Sequence, residues 1–111
     1  MNKRGKVFVE DALAGIIEAK DGLFIFKYDI EYLKNSNPLP VSLTLPLRQE
    51  AYEQKTMFPF FDGLIPEGWL LSIIEGNWKI NPRDRMGLLL LVCRDSIGNV
   101  SVVDDSPVGK K

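Results

Sequence analysis

Apolar and polar residues alternate along the first half of the chain, and alternation with a period of two predicts strands. Val7-Phe8-Val9-Glu10 reads as a short strand. Two further apolar runs, Leu13 to Ala19 and Leu23 to Tyr28, flank Lys20-Asp21-Gly22. An Asp-Gly pair between apolar runs suits a tight two-residue turn, so the two runs are expected to form a hairpin. Phe24, Phe26 and Tyr28 fall on one face of the second run and Leu23, Ile25 and Lys27 on the other. The aromatic stripe is read as core. Asp29 to Leu33 has the look of one helical turn, and Asn35-Ser36-Asn37-Pro38 of a loop. In Val41-Ser42-Leu43-Thr44-Leu45 the apolar residues again alternate with polar ones, which predicts another strand, stopped by Pro46. Arg48 to Lys55 is polar apart from Tyr52 and Ala51, and is expected as an exposed loop or a frayed helix.

Beyond Phe58 the pattern turns helical. Pro66 suits the first position of a helix, where its missing N–H costs nothing, and Glu67 complements the positive end of the helix dipole. Leu70, Ile73 and Ile74 form an inward stripe, and Gly76-Asn77 suits a left-handed stop. A second helix is predicted after Asn81 as cap and Pro82 as first residue, with Asp84 near the open amides. Met86 to Val92 is too apolar to be exposed, and Cys93 beside it is read as a small buried hydrophobe. Ser96 to Asn99 forms a turn, Val100 to Val103 a last strand, and Asp104 to Lys111 a polar tail. The expected fold is α+β: a small curved antiparallel sheet, partly barrel-like, packed against two C-terminal helices. Residues 1–111 form a single domain, with its tail from about 104.

Charge and composition narrow the function. With 14 basic and 15 acidic residues the net charge is −1, without the basic excess of a duplex-binding surface, so no direct nucleic-acid binding is expected. The lone cysteine rules out an intrachain disulfide and suits a reducing cytoplasm. The basic N-terminus leads into Glu10 and Asp11 rather than an apolar signal core, and no run approaches the ~20 apolar residues of a membrane span. The chain has no histidine, which removes the commonest general base and metal ligand and excludes Ser-His-Asp and Cys-His arrangements. Phosphate-binding glycine loops are missing as well. The sequence therefore predicts no catalysis, metal or cofactor.

What remains is the stretch from Phe58 to Trp69, which holds three phenylalanines, two prolines, two glycines and a tryptophan. Prolines fix the backbone, glycines allow close approach, and aromatics offer large rigid surfaces. Such a segment makes either an internal corner or a surface that another molecule fits. Trp69 follows Ile65-Pro66-Glu67-Gly68 and falls beside the Leu70/Ile73/Ile74 stripe rather than within it, with no side chain on Gly68 to screen it. Tryptophan dominates binding hot spots, so Trp69 is the expected anchor of a partner contact formed with Gly68, Glu67, Pro66, Ile65 and Phe61. The alternatives are that Trp69 packs into the domain's own core and that Glu67 only stabilises its helix. Phe60 and Phe61 are adjacent and cannot face the same way; one belongs to the core and the other extends the contact surface.

Three segments carry a family resemblance: Leu43-Thr44-Leu45-Pro46-Leu47-Arg48, Phe60-Phe61-Asp62-Gly63-Leu64-Ile65-Pro66-Glu67-Gly68, and Leu88-Leu89 with the Asp95 to Gly98 turn. They resemble the N-terminal subdomain of HipA-type serine/threonine kinase toxins, over about Lys6 to Val103. Ile65 stands for a leucine of the middle motif, and Arg94 and Asn99 for smaller residues of the last. A kinase of that type continues for several hundred residues with its ATP-binding and catalytic segments, for which 111 residues leave no room. With Met at its start and a polar tail at its end, the chain looks like a complete product, similar to the small HipS-like subunits of three-component HipBST toxin–antitoxin systems. The resemblance implies a cytoplasmic antitoxin that inhibits a separately encoded HipT-like kinase toxin, with a HipB-like helix-turn-helix protein supplying DNA binding in a ternary complex. It equally allows a non-catalytic subdomain that completes a kinase fold or assembles a DNA-bound repressor without inhibiting by itself.

Overall fold

A computed structural model describes residues 3–65, 85–92 and 99–105. Its strands are β1 (Lys3–Val9), β2 (Ala12–Lys20), β3 (Leu23–Tyr28), β4 (Tyr52–Gln54) and β5 (Val100–Asp104). They form one antiparallel sheet in the order β4-β3-β2-β1-β5. The helices are α1 (Ile30–Leu33), α2 (Pro59–Asp62) and α3 (Arg85–Val92). The fold is α+β as the sequence predicts; among the described residues the sheet does not close into a barrel and has β4 and β5 at its two ends.

The hairpin joining β2 and β3 turns at Asp21-Gly22, both at positive φ (53° and 80°), the backbone that a two-residue turn between right-twisted strands requires. In the β1–β2 pair the register slips between Val7, which faces Gly15, and Phe8, which faces Leu13. Ala14 is the extra residue of this bulge. Its carbonyl accepts the amide of Asp29 at 2.8 Å. Asp29 in turn caps α1, its Oδ2 accepting the Tyr32 amide at 3.2 Å. The bulge thus fixes where α1 leaves the sheet.

One face of the sheet is core. Val7 and Val9 of β1, Ile17 of β2, Phe26 and Tyr28 of β3, and Val100 and Val102 of β5 are all buried. Met86, Leu88, Leu89 and Leu90 of α3 join the same core. Close packing there depends on Gly5: a Cβ at this position would lie 2.6 Å from Leu90 Cδ2 and 2.9 Å from Val102 Cγ1.

Two expectations are corrected. Residues 41–45 are not a strand but a tight turn closed by a single bridge between Ser42 and Leu45. The Ser42 hydroxyl accepts the Thr44 amide at 3.2 Å and pairs with the Thr44 hydroxyl at 2.9 Å, and such local bonds compete with a ladder. Pro40 and Pro46 on either side cannot donate to one. The segment from Arg48 to Lys55, expected without a strand, supplies the edge strand β4, in which Tyr52 faces Phe26 and Gln54 faces Phe24.

The helix predicted to start at Pro66, its Leu70/Ile73/Ile74 stripe and Gly76-Asn77 stop, the Asn81 cap, Cys93, and the turn residues Ser96 to Gly98 lie outside the described residues, as does the tail beyond Asp105. A helical turn does form ahead of Pro66, at α2, with Pro59 in the first-turn position that suits proline.

Candidate partner-binding surface

The segment that leads to Trp69 is built on an aromatic pile. Phe61 has no exposed surface. Its ring lies 5.4 Å from Phe26 of β3, 6.1 Å from Phe58 and 5.2 Å from Phe60 between centroids, the contacts with Phe58 and Phe60 edge-to-face. Phe58 is buried too, while Phe60 is half-buried. This settles which phenylalanine faces inward. Phe61, placed by the sequence among the partner-facing residues, offers no surface here, because a side chain pointing from a one-turn helix toward the sheet must fill the space above Phe26. Phe60 is the ring that reaches the outside.

Past α2 the chain continues in turns, with Leu64 donating to the Phe61 carbonyl at 3.0 Å and Ile65 to that of Asp62 at 3.2 Å. Ile65 is buried at 8% exposure and belongs to the core cluster. The direction in which the chain reaches Pro66 is therefore anchored on both sides, by Phe61 and by Ile65. Asp62 adds a polar tie: Arg85 Nε donates to its Oδ1 at 2.6 Å, an ion pair that joins α2 to α3. Pro66, Glu67, Gly68 and Trp69 lie outside the described residues.

Among the described residues no cluster of His, Cys, Asp or Glu could hold a metal ion, and no helix is long and apolar enough to cross a membrane. The second face of the sheet carries a hollow of about 380 Å³, between Ile16, Ile25 and Ile30 with Glu18 and Lys27 at its sides. It has apolar walls and charges of both signs but no convergent set of catalytic groups.

One surface feature escaped the sequence reading. Leu43 is 94% exposed and Leu39 46%. Alternation had put Leu43 on the same face as Val41 and Leu45, which are indeed buried. The two prolines flanking the motif were the available sign that it is not a strand, and that Leu43 leaves that face.

Comparison with known proteins places these features in context. Residues 5–103 match the HipA N-terminal domain family. A solved N-terminal domain of HipA toxin superposes with a TM-score of 0.68 at 25% sequence identity, covering 93% of this chain and 92% of that one. An uncharacterized protein of Haemophilus influenzae is 29% identical over 103 residues, 93% of each chain. A putative kinase, Y4mE, of Sinorhizobium fredii is 29% identical over 85 residues, which are 75% of this chain and only 20% of that protein.

Proposed function

The chain belongs to the HipA N-terminal domain family, and from that premise we propose that it is a HipS-like antitoxin: a cytoplasmic, non-catalytic protein that binds a separately encoded HipT-like serine/threonine kinase and silences it. The observation that carries this reading is a contrast in lengths. The Haemophilus influenzae relative is spanned to 93% by its match to this domain, whereas in the putative kinase the matching part is one fifth of a longer protein. A unit that is part of one polypeptide in one protein and the bulk of another is suited to act on that polypeptide in trans.

A protein without histidine, and with its acidic and basic side chains dispersed, inhibits by occupying a surface rather than by chemistry. Trp69, with Gly68, Glu67 and Pro66, is the proposed contact; Ile65, expected beside them, is buried in the core like Phe61, and the two anchor the chain as it enters Pro66. The indole is proposed to reach the kinase's active-site region and block productive closure. A HipB-like helix-turn-helix protein completes the complex and contacts DNA. The fused arrangement in Y4mE also favours a second reading, in which the domain completes the kinase fold or assembles a DNA-bound repressor without inhibiting alone.

Co-expression separates the two. Under the first reading this chain alone rescues cells from a HipT-like kinase that lacks its own N-terminal domain. Under the second, rescue requires the HipB-like protein as well.

A further inference from the structure

The second face of the sheet carries a pattern that complements itself. In the register of β2 and β3, Ile16 faces Lys27 and Glu18 faces Ile25. Residues two apart on a strand share a face, and Ile17 and Phe26 between them are buried, so these four side chains form one quartet on the side away from the core. The two isoleucines stand at opposite corners, and Glu18 and Lys27 at the other two. The quartet lines the hollow of about 380 Å³, which Ile30 of α1, 50% exposed, borders on one side.

Among the described residues neither Glu18 nor Lys27 takes part in an ion pair. The other acids of the hollow are engaged: Asp29 accepts the Tyr32 amide, and Glu31 pairs with Lys34 at 3.5 Å. The apolar floor thus carries one uncommitted charge of each sign, separated by the diagonal of the ladder, roughly 7–8 Å. That combination selects its occupant. A cationic group would meet Lys27, an anionic group Glu18, and an apolar one would cover both charges without pairing either. The occupant that fits has an apolar centre and both signs at the same spacing, and the quartet itself is such a group. A two-fold axis along the isoleucine diagonal lays Ile16 and Ile25 of one copy on those of another. It also brings Lys27 of each copy beside Glu18 of the other, an isologous contact with two ion pairs. The lysine stem can cover the isoleucines while its ammonium reaches the carboxylate. Sheets turned in this way cross at a steep angle, as in orthogonal sheet packing.

We propose that this outer face is a self-association surface centred on Ile16, Glu18, Ile25 and Lys27, and that its occupant is a second copy of this chain. Phe8 and Leu13, which face each other across β1 and β2 and are half-buried, extend the apolar contact. Five strands ~4.8 Å apart and about six residues long offer roughly 24 by 20 Å, on the order of 500 Å² per copy. Two copies bury about 1,000 Å², the lower end of a specific interface, so the dimer is expected to be weak, with a Kd on the order of 10 μM. The inference is independent of the kinase reading, since it requires neither Trp69 nor a second kind of protein.

The test is analytical ultracentrifugation of the full chain at concentrations from well below to well above that Kd, with circular dichroism as the check of folding. The unaltered chain should pass from monomer to dimer. Lys27→Glu and Glu18→Lys each set like charges together at both contacts, and each alone should weaken the dimer by roughly tenfold or more. An equimolar mixture of the two variants should dimerise again, because every contact between them joins opposite charges. The Lys27→Glu/Glu18→Lys double variant should dimerise by itself, which keeps the test open if a single variant fails to fold. A purely structural role for either residue gives no such rescue. An unaltered chain that stays monomeric throughout overturns the proposal, as does a dimer that the single variants weaken by less than about twofold. A mixture and a double variant that both remain monomeric overturn it too. If the chain is monomeric and Lys27→Glu instead weakens binding to a HipT-like kinase, the face belongs to that partner and the second copy is wrong.

Discussion

The Tyr28 hydroxyl accepts the backbone amide of Val41 across 3.0 Å, inside the core and 13 residues along the chain. The same oxygen donates to the Leu45 carbonyl. One side chain at the end of β3 thus satisfies two buried backbone groups of a segment that makes almost no ladder bonds of its own. Removing the oxygen while keeping the ring leaves both groups desolvated and unmatched. Tyr28→Phe is expected to destabilise the fold by about 2–3 kcal/mol, the cost of orphaned buried polar groups. Urea unfolding should show a lower midpoint with an unchanged slope.

Burial also changes how Tyr28 ionises. Desolvation, opposed by the Val41 hydrogen bond and helped by the nearby Tyr52 and Tyr32, pushes its pKa from 10.0 up to about 12. The folded protein therefore keeps this proton over a range in which the unfolded chain has lost it. The resulting stability is fully present below about pH 10 and is lost as pH rises toward 12, up to about 3 kcal/mol in all. Chemical denaturation at stepped pH should show that fall, and Tyr28→Phe should remove the part of it that belongs to this residue.

Two glycines mark where the sheet admits no side chain. At Gly15 a Cβ would sit 2.5 Å from the Lys27 carbonyl oxygen, on backbone that cannot move without opening β2 from β3. At Gly5 the obstacles are the tips of Leu90 and Val102, which can turn aside in part. Gly5→Ala is expected to cost about 1–3 kcal/mol, the range of an overpacked core, and Gly15→Ala more than that. Thermal melts of the two variants side by side check the order.

Asp62 and Arg85 join α2 to α3 by an ion pair that is roughly one-third to one-half exposed. Solvent screening limits its worth, so Asp62→Asn should lower stability by no more than about 1 kcal/mol, and the difference should shrink as salt is raised. Melting curves at low and high ionic strength test this.

Much of the fold was legible because the relevant forces are local. Asp21-Gly22 dictates a hairpin, Asp29 caps a helix, and the alternation around Phe26 and Val102 names the buried face without reference to the rest of the chain. The strand β4 was hidden because Tyr52-Glu53-Gln54 has no apolar period; it pairs with one neighbour at a sheet edge, and only its tyrosine touches the core. The turn at 41–45 deceived for the opposite reason. Its alternation is that of a strand, but hydroxyls on distant tyrosines decide its path, and no short window contains both partners. Within the candidate surface, the aromatic richness of residues 58–61 was readable, while the choice of Phe61 over Phe60 as the buried ring depends on where Phe26 lies across the sheet.

Silencing of a kinase through Trp69 is what separates an inhibitor from a passive subdomain. The direct measurement is the phosphorylation rate of a HipT-like kinase titrated with the purified chain and with Trp69→Ala. The unaltered chain is expected to form a complex and suppress the rate in proportion to occupancy, while Trp69→Ala, with an unchanged circular dichroism spectrum, loses most of that suppression. A Trp69→Ala protein that inhibits as well as the original, or an unaltered chain that leaves the kinase active and unbound, would contradict it.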